Sequence, residues 1–397
     1  MAIDNKDKKI LNVPPLRFPE FTEEWKAEQL DNIATLSKGI GISKEQLSED
    51  GEPCILYGEL YTKYKSEIIK QVESKTDING SKLKRSKAND VIIPCSGETA
   101  VDIATARCVP FDNILFGGDL NVISLHQYDG AFMSYQLNGK RKYDIARVAQ
   151  GVSIVHLYGE HLKAIKTYNP TLPEQQKIAK LLSLLDDRID TQNKIIEDLK
   201  KLKSAIIHRC YSSQTNMIPL SELLKQCSDR NRSGSDLQVL SVSNKYGFIA
   251  QSNQFEDREV ASDDTSNYKV VKKGMFAYNP ARINVGSIAL YEMDGNGIVS
   301  PMYVCFTTKS ELLPSYLKYY FASQTFKHEM YKRLEGSVRL CLTFEELCNI
   351  EIHLPSIEQQ KNISKYISKI ENNLSLVDSI FSKYQQQRRY LLSQMFI

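Results

Sequence analysis

The sequence predicts an α+β protein: two globular mixed α/β domains in a pseudo-two-fold tandem repeat, separated by two long antiparallel coiled-coil helices. Three observations carry this. The chain matches itself at a shift of about 185 residues. Each copy ends in about five heptads of apolar residues without Pro or Gly. Each copy begins with short β-rich runs broken by turn residues.

The repeat comes first. Gly151 falls on Gly336, Leu157 on Leu342, Leu162 on Leu347, Ile165 on Ile350 and Pro170 on Pro355. Glu174-Gln175-Gln176-Lys177 recurs as Glu358-Gln359-Gln360-Lys361, a shift of 184 that calls for one extra residue in the first copy. The shift then returns to 185, with Ile178 on Ile363, Lys180 on Lys365, Ser183 on Ser368 and Ile195 on Ile380. Upstream, Asn89-Asp90-Val91-Ile92 falls on Gly274-Met275-Phe276-Ala277 in pattern only. Two copies are a duplication rather than a solenoid. The expected segments are residues 1–168 and 213–354 for the globular parts, and 169–212 and 355–397 for the helices.

The helices follow. In the first copy the seams are Ile178, Leu185, Leu199 and Ile206, and Leu182, Ile189 and Ile196, interrupted by Gln192 and Lys203. In the second they are Ile363, Ile370, Val377, Tyr384 and Leu391, and Ile367, Leu374 and Phe381. Arg388 interrupts at the position equivalent to Lys203. Pro173 and Pro355 mark the starts. From Ile178 to Ser212 is 35 residues, roughly 52 Å of helix. A lone helix of this kind is marginal, so each is expected to pair with the other, antiparallel, with the globular parts at opposite ends. Asp186-Asp187, among Lys and Arg, reads as a solvated face rather than a metal site.

The globular parts read as strands at Val91-Ile92-Ile93, Leu120-Asn121-Val122-Ile123 and Val152-Ser153-Ile154-Val155. The second copy offers Val239 to Val242, Met275 to Tyr278, Ser287 to Tyr291 and Tyr303 to Phe306, and one helix from Pro314 to Arg333. The two parts share a frame but few surface residues, which suggests two recognition heads for two targets.

Composition bounds the function. A chain of 397 residues, 42% hydrophobic and 25% charged, has material for real cores. A net charge of +3 argues against a purely electrostatic nucleic-acid binder. No run of about 18 apolar residues exists to cross a membrane. Met1 to Lys9 is polar, without an apolar signal core. Eight scattered cysteines without a Cys-x-x-Cys pair read as reduced thiols of a cytoplasmic protein.

The search for catalytic motifs is empty. Gly139-Lys140 is followed by Arg141, so no phosphate-binding loop forms, and Gly295-Asn296-Gly297 lacks the third glycine of a dinucleotide site. No histidine pattern suits a metal, and no Gly-x-Ser-x-Gly occurs. Asn279-Pro280-Ala281-Arg282 lacks the second proline and aromatic of an amino-methyltransferase loop and reads as a turn.

Basic and aromatic clusters remain. Ser81 to Lys87 holds Lys82, Lys84, Arg85 and Lys87; Lys140, Arg141 and Lys142 precede Tyr143; Lys269 lies near Lys272 and Lys273. Lys63 and Lys65 sit among Tyr57, Tyr61 and Tyr64. Such cations neutralise phosphates, whereas Arg and Asn read base edges. Arg282-Ile283-Asn284-Val285-Gly286 offers two such readers in a glycine-bounded loop, or an ordinary hairpin.

Leu16-Arg17-Phe18-Pro19-Glu20-Phe21 with Trp25 and Leu30, and the duplicated Pro, Glu-Gln-Gln-Lys and long helix, resemble the specificity subunits of type I restriction–modification systems. The resemblance covers nearly the whole chain. The second copy departs from it in starting at Met217-Ile218-Pro219-Leu220 without a counterpart of Trp25, and in placing Asn362 beside Lys361.

The resemblance implies a non-catalytic DNA-binding subunit. Each globular part is then a target recognition domain that reads one half of a bipartite, asymmetric sequence in double-stranded DNA. The helix pair sets the gap and docks two methyltransferase subunits, directing adenine methylation, and restriction subunits join them. S-adenosylmethionine, ATP and Mg belong on those partners, with no cofactor on this subunit. A helix of about 52 Å matches about 15 base pairs. Phosphate contacts are then expected from Lys63, Lys65, Lys82, Lys84, Arg85, Lys87, Lys140, Arg141, Lys142, Lys269, Lys272 and Lys273. Base contacts are expected from Ser96, Glu98 and Thr99, and from Arg282 and Asn284. The competing reading is a coiled-coil adaptor whose heads bind proteins.

Overall fold

The computed structural model describes residues 12–152, 154–213, 215–232, 234–251, 264–336 and 340–397. The chain forms two compact units, Met1–Asn193 with Ser379–Ile397, and Lys194–Asp378. Each unit therefore holds one globular part and a portion of each long helix.

In the first unit, Lys26–Gln29 pairs antiparallel with Lys166–Asn169. A four-stranded sheet runs in the order Ala34–Lys38, Leu120–Leu125, Asp90–Pro94, Arg107–Val109. Its strand Asp90–Pro94 is buried at every residue, which is why a continuous apolar run replaces alternation there. Val91, Ile93 and Ile123 pack with Met133 and Leu137 of the helix Gly130–Asn138. A second sheet runs Leu47–Ser48, Ser74–Thr76, Glu52–Ile55, Leu115–Phe116, Lys84–Arg85, with its third and fourth strands parallel.

The second unit repeats this plan. Met217–Pro219 pairs with Glu351–His353. One sheet runs Leu224–Cys227, Val304–Thr308, Phe276–Tyr278, Ile288–Leu290. The other runs Gly247–Ala250, Val239–Ser243, Gly297–Val299, Lys269–Val271, again with a central parallel pair. Among the described strands, Leu47–Ser48 and the small pair Ser96–Gly97 with Val155–His156 of the first unit have no counterpart in the second. Val91 faces Ile123 in one sheet, and Phe276, 185 residues beyond Val91, faces Phe306 in the other. The match of pattern between Asn89–Ile92 and Gly274–Ala277 is thus a match of strands.

The structure corrects the alignment at the repeated tetrapeptide. Gln175 accepts from the Asp129 amide at 2.9 Å and donates to the Pro170 carbonyl at 2.8 Å. Gln360 accepts from the Leu313 amide at 2.9 Å and donates to the Pro355 carbonyl at 2.9 Å. Asp129 and Leu313 are the N-caps of Gly130–Asn138 and Pro314–Phe321. Each Gln therefore satisfies a helix-start amide that the helix itself leaves open. Gln175 corresponds to Gln360 and the shift stays at 185, so no extra residue is needed. Glu174 then corresponds to Gln359, and their surroundings differ. Glu174, fully buried, takes two bonds of 2.7 Å from Arg17 and one of 3.3 Å from Trp25, whereas Gln359 is exposed and bonds locally to Ser356.

Three further expectations change. The helix expected from Pro314 to Arg333 is two, Pro314–Phe321 and Gln324–Lys332, because Ser323 caps the second through the Phe326 amide. The strand expected over Val152–Val155 is reduced to Val155–His156; Val152 is 97% exposed, and Ser153 lies outside the described residues. Asp186 is not on a solvated face. It is 7% exposed and bonded to Tyr135 and Arg388.

The long helices span Leu172–Tyr211 and Ile357–Gln394. Pro173 sits inside the first turn of one, where its missing N–H costs no hydrogen bond. In the first unit Asp186 meets Arg388 and Arg188 lies over Tyr384, so the pairing is antiparallel. In the second unit Lys203 meets Glu371, and Ile207 and Ile367 share one apolar cluster. Leu182, Leu185, Ile196, Ile367 and Leu391 are buried. Ile189, Leu199, Ile206, Ile370, Leu374, Val377, Phe381 and Tyr384 are half-buried. The two charged residues that interrupt the seams, Arg388 and Lys203, form ion pairs related by the repeat. Asp186 and Arg388 bond at 2.6 Å, and Glu371 and Lys203, each 185 residues away, bond at 2.5 Å. Tyr135 donates to Asp186 and Tyr319 to Glu371.

Candidate nucleic-acid interface

Two surface features recur at the same topological place in each unit. The first is the turn into the central strand of the four-stranded sheet. The Asp90 amide bonds the Lys87 carbonyl and the Met275 amide bonds the Lys272 carbonyl, both at 3.0 Å. The third residue of each turn takes positive φ, 80° at Asn89 and 91° at Gly274, a conformation that suits Asn and Gly. Lys87 and Lys272 therefore begin equivalent turns, and Lys84 falls on Lys269 by the same shift. The heads share more basic surface than the sequence suggests.

The second feature is the connection that follows that strand. In the first unit it holds Ser96, Gly97, Glu98 and Thr99; in the second it is the hairpin with Arg282 and Asn284. Ser96 and Gly97 pair with His156 and Val155. Ser96 bonds Asp119, and Tyr61 donates to the Ser96 carbonyl. Thr99 caps the helix Ala100–Ile103. In the second unit Asn279 accepts from the Ala281 amide, and its carbonyl accepts from the Arg282 amide. Gly286 closes the turn with φ 91°. Asn284 is half-buried, with its carbonyl bonded by Tyr331. The loop around Arg282 is thus both a hairpin and a rigid display.

The remaining cations divide into two sets. Arg85 is held by Glu52 at 2.6 and 3.0 Å across the second sheet; that hydrogen bond raises its pKa and lowers that of Glu52. Lys63 pairs with Glu59, and Arg141 with Asp144 and the Ile397 carbonyl. Lys269 donates to the Tyr303 carbonyl, Lys273 pairs with Asp294, and Lys272 lies 3.9 Å from Asp229. Among the described residues, Lys65, Lys82, Lys84, Lys87, Lys140 and Lys142 have no ion pair. Lys65 and Lys142 line a cleft of about 580 Å³ over Glu67, Arg107 and Arg388. Ser96, Glu98, Tyr57, Tyr61 and His156 line another of about 930 Å³.

Sequence reasoning missed Glu67, Tyr135 and Tyr319 as helix anchors. The 185-residue relation of Asp186 and Arg388 to Glu371 and Lys203 is the signal the sequence offers, since an acid beside the seam and a base within it recur in both copies. Among the described residues, no His, Cys, Asp and Glu group could hold a metal, and no helix is long and apolar enough to cross a membrane.

The geometry defines a duplicated pair of sheet-based heads joined to two long helices, and comparison with known proteins agrees. The family model for the type I restriction modification DNA specificity domain matches residues 22–201 and 233–380. The chain belongs to that family, with two such domains in tandem. Its members are specificity subunits, the non-catalytic components of type I restriction–modification complexes. The type I restriction enzyme MjaVIII specificity subunit of Methanocaldococcus jannaschii is 25% identical, over 94% of this chain and 91% of that protein. The crystal structure of the type I restriction-modification system S subunit from M. genitalium matches with a TM-score of 0.63 and 17% identity, over 97% of this chain and 99% of that one. A chain from work on complex assembly and conformational transition of the type I R-M system matches with a TM-score of 0.52 and 15% identity, over 96% and 99%.

Proposed function

We propose that each head reads one half of a bipartite, asymmetric sequence in double-stranded DNA, and that the helix pair fixes the gap between the halves. The observation that carries this is the recurrence, in both heads, of a lysine turn leading to a rigid loop of different sequence. Shared lysines suit the phosphate backbone, which is the same at every site; divergent loops suit base edges, which are not. A helix of 40 residues is about 60 Å long, the length of about 18 base pairs at roughly 3.4 Å each.

On this reading the chain docks two methyltransferase subunits along the helices and directs adenine methylation and restriction at its target. S-adenosylmethionine, ATP and Mg act on those partners. The modest net charge fits a subunit whose partners share the hold on the backbone. The test is a base-modification map of the host genome by single-molecule sequencing, with and without the gene. One gapped, two-part adenine-methylation motif should vanish on deletion. An unchanged map in a host whose methyltransferase subunits are expressed would favour the protein-binding adaptor.

A further inference from the structure

The equivalent connections carry opposite charge. Residues 95–106 of the first head hold two carboxylates, Glu98 and Asp102, and no cation. Residues 279–287 of the second hold one cation, Arg282, and no carboxylate. Asp102 accepts from the Thr99 hydroxyl. Glu98 and Arg282 are exposed and, among the described residues, have no hydrogen-bond or ion-pair partner for their side chains. Their backbones are fixed. Glu98 lies between Gly97, paired with Val155, and Thr99, a helix cap. The Arg282 amide bonds Asn279, and its carbonyl accepts from Val285 and Ser287. Each is a free charge on a rigid loop, which lowers the entropy lost on binding.

We infer that Glu98 reads the exocyclic amine of a cytosine in one half of the target and Arg282 reads guanine in the other. This rests on the half-site reading above. A carboxylate only accepts hydrogen bonds. Cytosine presents the N4 amine to the major groove, whereas guanine presents two acceptors and adenine sets the N7 acceptor beside its amine. Glu98 therefore favours cytosine over both purines. The guanidinium donates two parallel bonds, which fit guanine O6 and N7. The two heads thus recognise opposite hydrogen-bond polarity.

The experiment uses the complete complex with its partner subunits, mapping the methylated motif and measuring binding to defined duplexes for the wild type, E98Q, E98R, R282Q and R282E. E98Q should weaken the preference for one C·G pair in one half-site by about 10- to 100-fold and leave the other half unchanged. E98R should turn the preferred base there from cytosine to guanine. R282Q should weaken the preference for a guanine in the other half only, and 7-deazaguanine at that position, which lacks N7, should mimic that loss on wild-type protein. A motif that keeps both halves unchanged in E98Q and R282Q overturns this inference and leaves the half-site reading standing. A wild-type complex that methylates no gapped motif overturns both.

Discussion

Arg388 on the C-terminal helix stands 2.6 Å from Asp186 on the central helix and 2.5 Å from Glu67 on the globular part. One guanidinium thereby ties both helices to the first head. Burial works against its charge, but Glu67 and Asp186 more than offset this and raise its pKa. Among the described residues its repeat counterpart Lys203 pairs with Glu371 alone, and that pair is about a third exposed, with side chains 28% and 33% accessible.

The two ion pairs should therefore differ in weight. Arg388→Met leaves two buried carboxylates without their cation and should cost about 3–5 kcal/mol. Lys203→Met breaks a pair that water reaches from both sides and should cost about 1 kcal/mol or less. Urea unfolding of the purified chain measures both. Equal losses would contradict the asymmetry.

Gln175 and Gln360 should behave alike, although the tetrapeptide alignment sets them apart. Replacing either by Ala leaves a helix-start amide open and should cost about 1–3 kcal/mol. Their partners are separate, so the double variant should lose close to the sum. Gln359→Ala, at an exposed position, should change stability by about 0.5 kcal/mol or less. A larger effect at Gln359 than at Gln360 would restore the shift of 184.

Burial raises Cys54 and Cys95 to about 11 and Cys108 and Cys305 to about 12. At pH 8 only about a thousandth or less of each is thiolate, the reactive form. Cys210, Cys227, Cys341 and Cys348 are only partly buried. A thiol reagent at pH 8 should therefore modify no more than four cysteines rapidly, and all eight once the chain is unfolded. More than four rapid thiols in the folded chain would contradict the packing of both sheets.

The long helices were legible because a heptad needs only apolar residues at fixed spacing, and every seam position named from it is buried or half-buried. The strand pattern at Val91 and Phe276 was legible for a similar reason, since Val91 to Ile93 and Phe276 to Tyr278 are buried on both faces. Asp186 was misread because a charge in sequence carries no record of its partner; its burial depends on Tyr135 and Arg388, 51 and 202 residues away. The break at Ser323 was hidden because the apolar face continues through it, and only the serine cap marks the new start. The two loops proposed to read bases share a topological place that the sequence does not display. Both follow the same strand of their sheets, which no local pattern around Ser96 or Arg282 could display.

If the two heads read separate halves of one site, one half can be exchanged without the other. Exchange of residues 213–354 for the corresponding segment of another family member, followed by mapping of methylated adenines, tests it most directly. One half of the motif should change while the other half and the gap stay as they were. A motif that changes in both halves, or in neither, would contradict it.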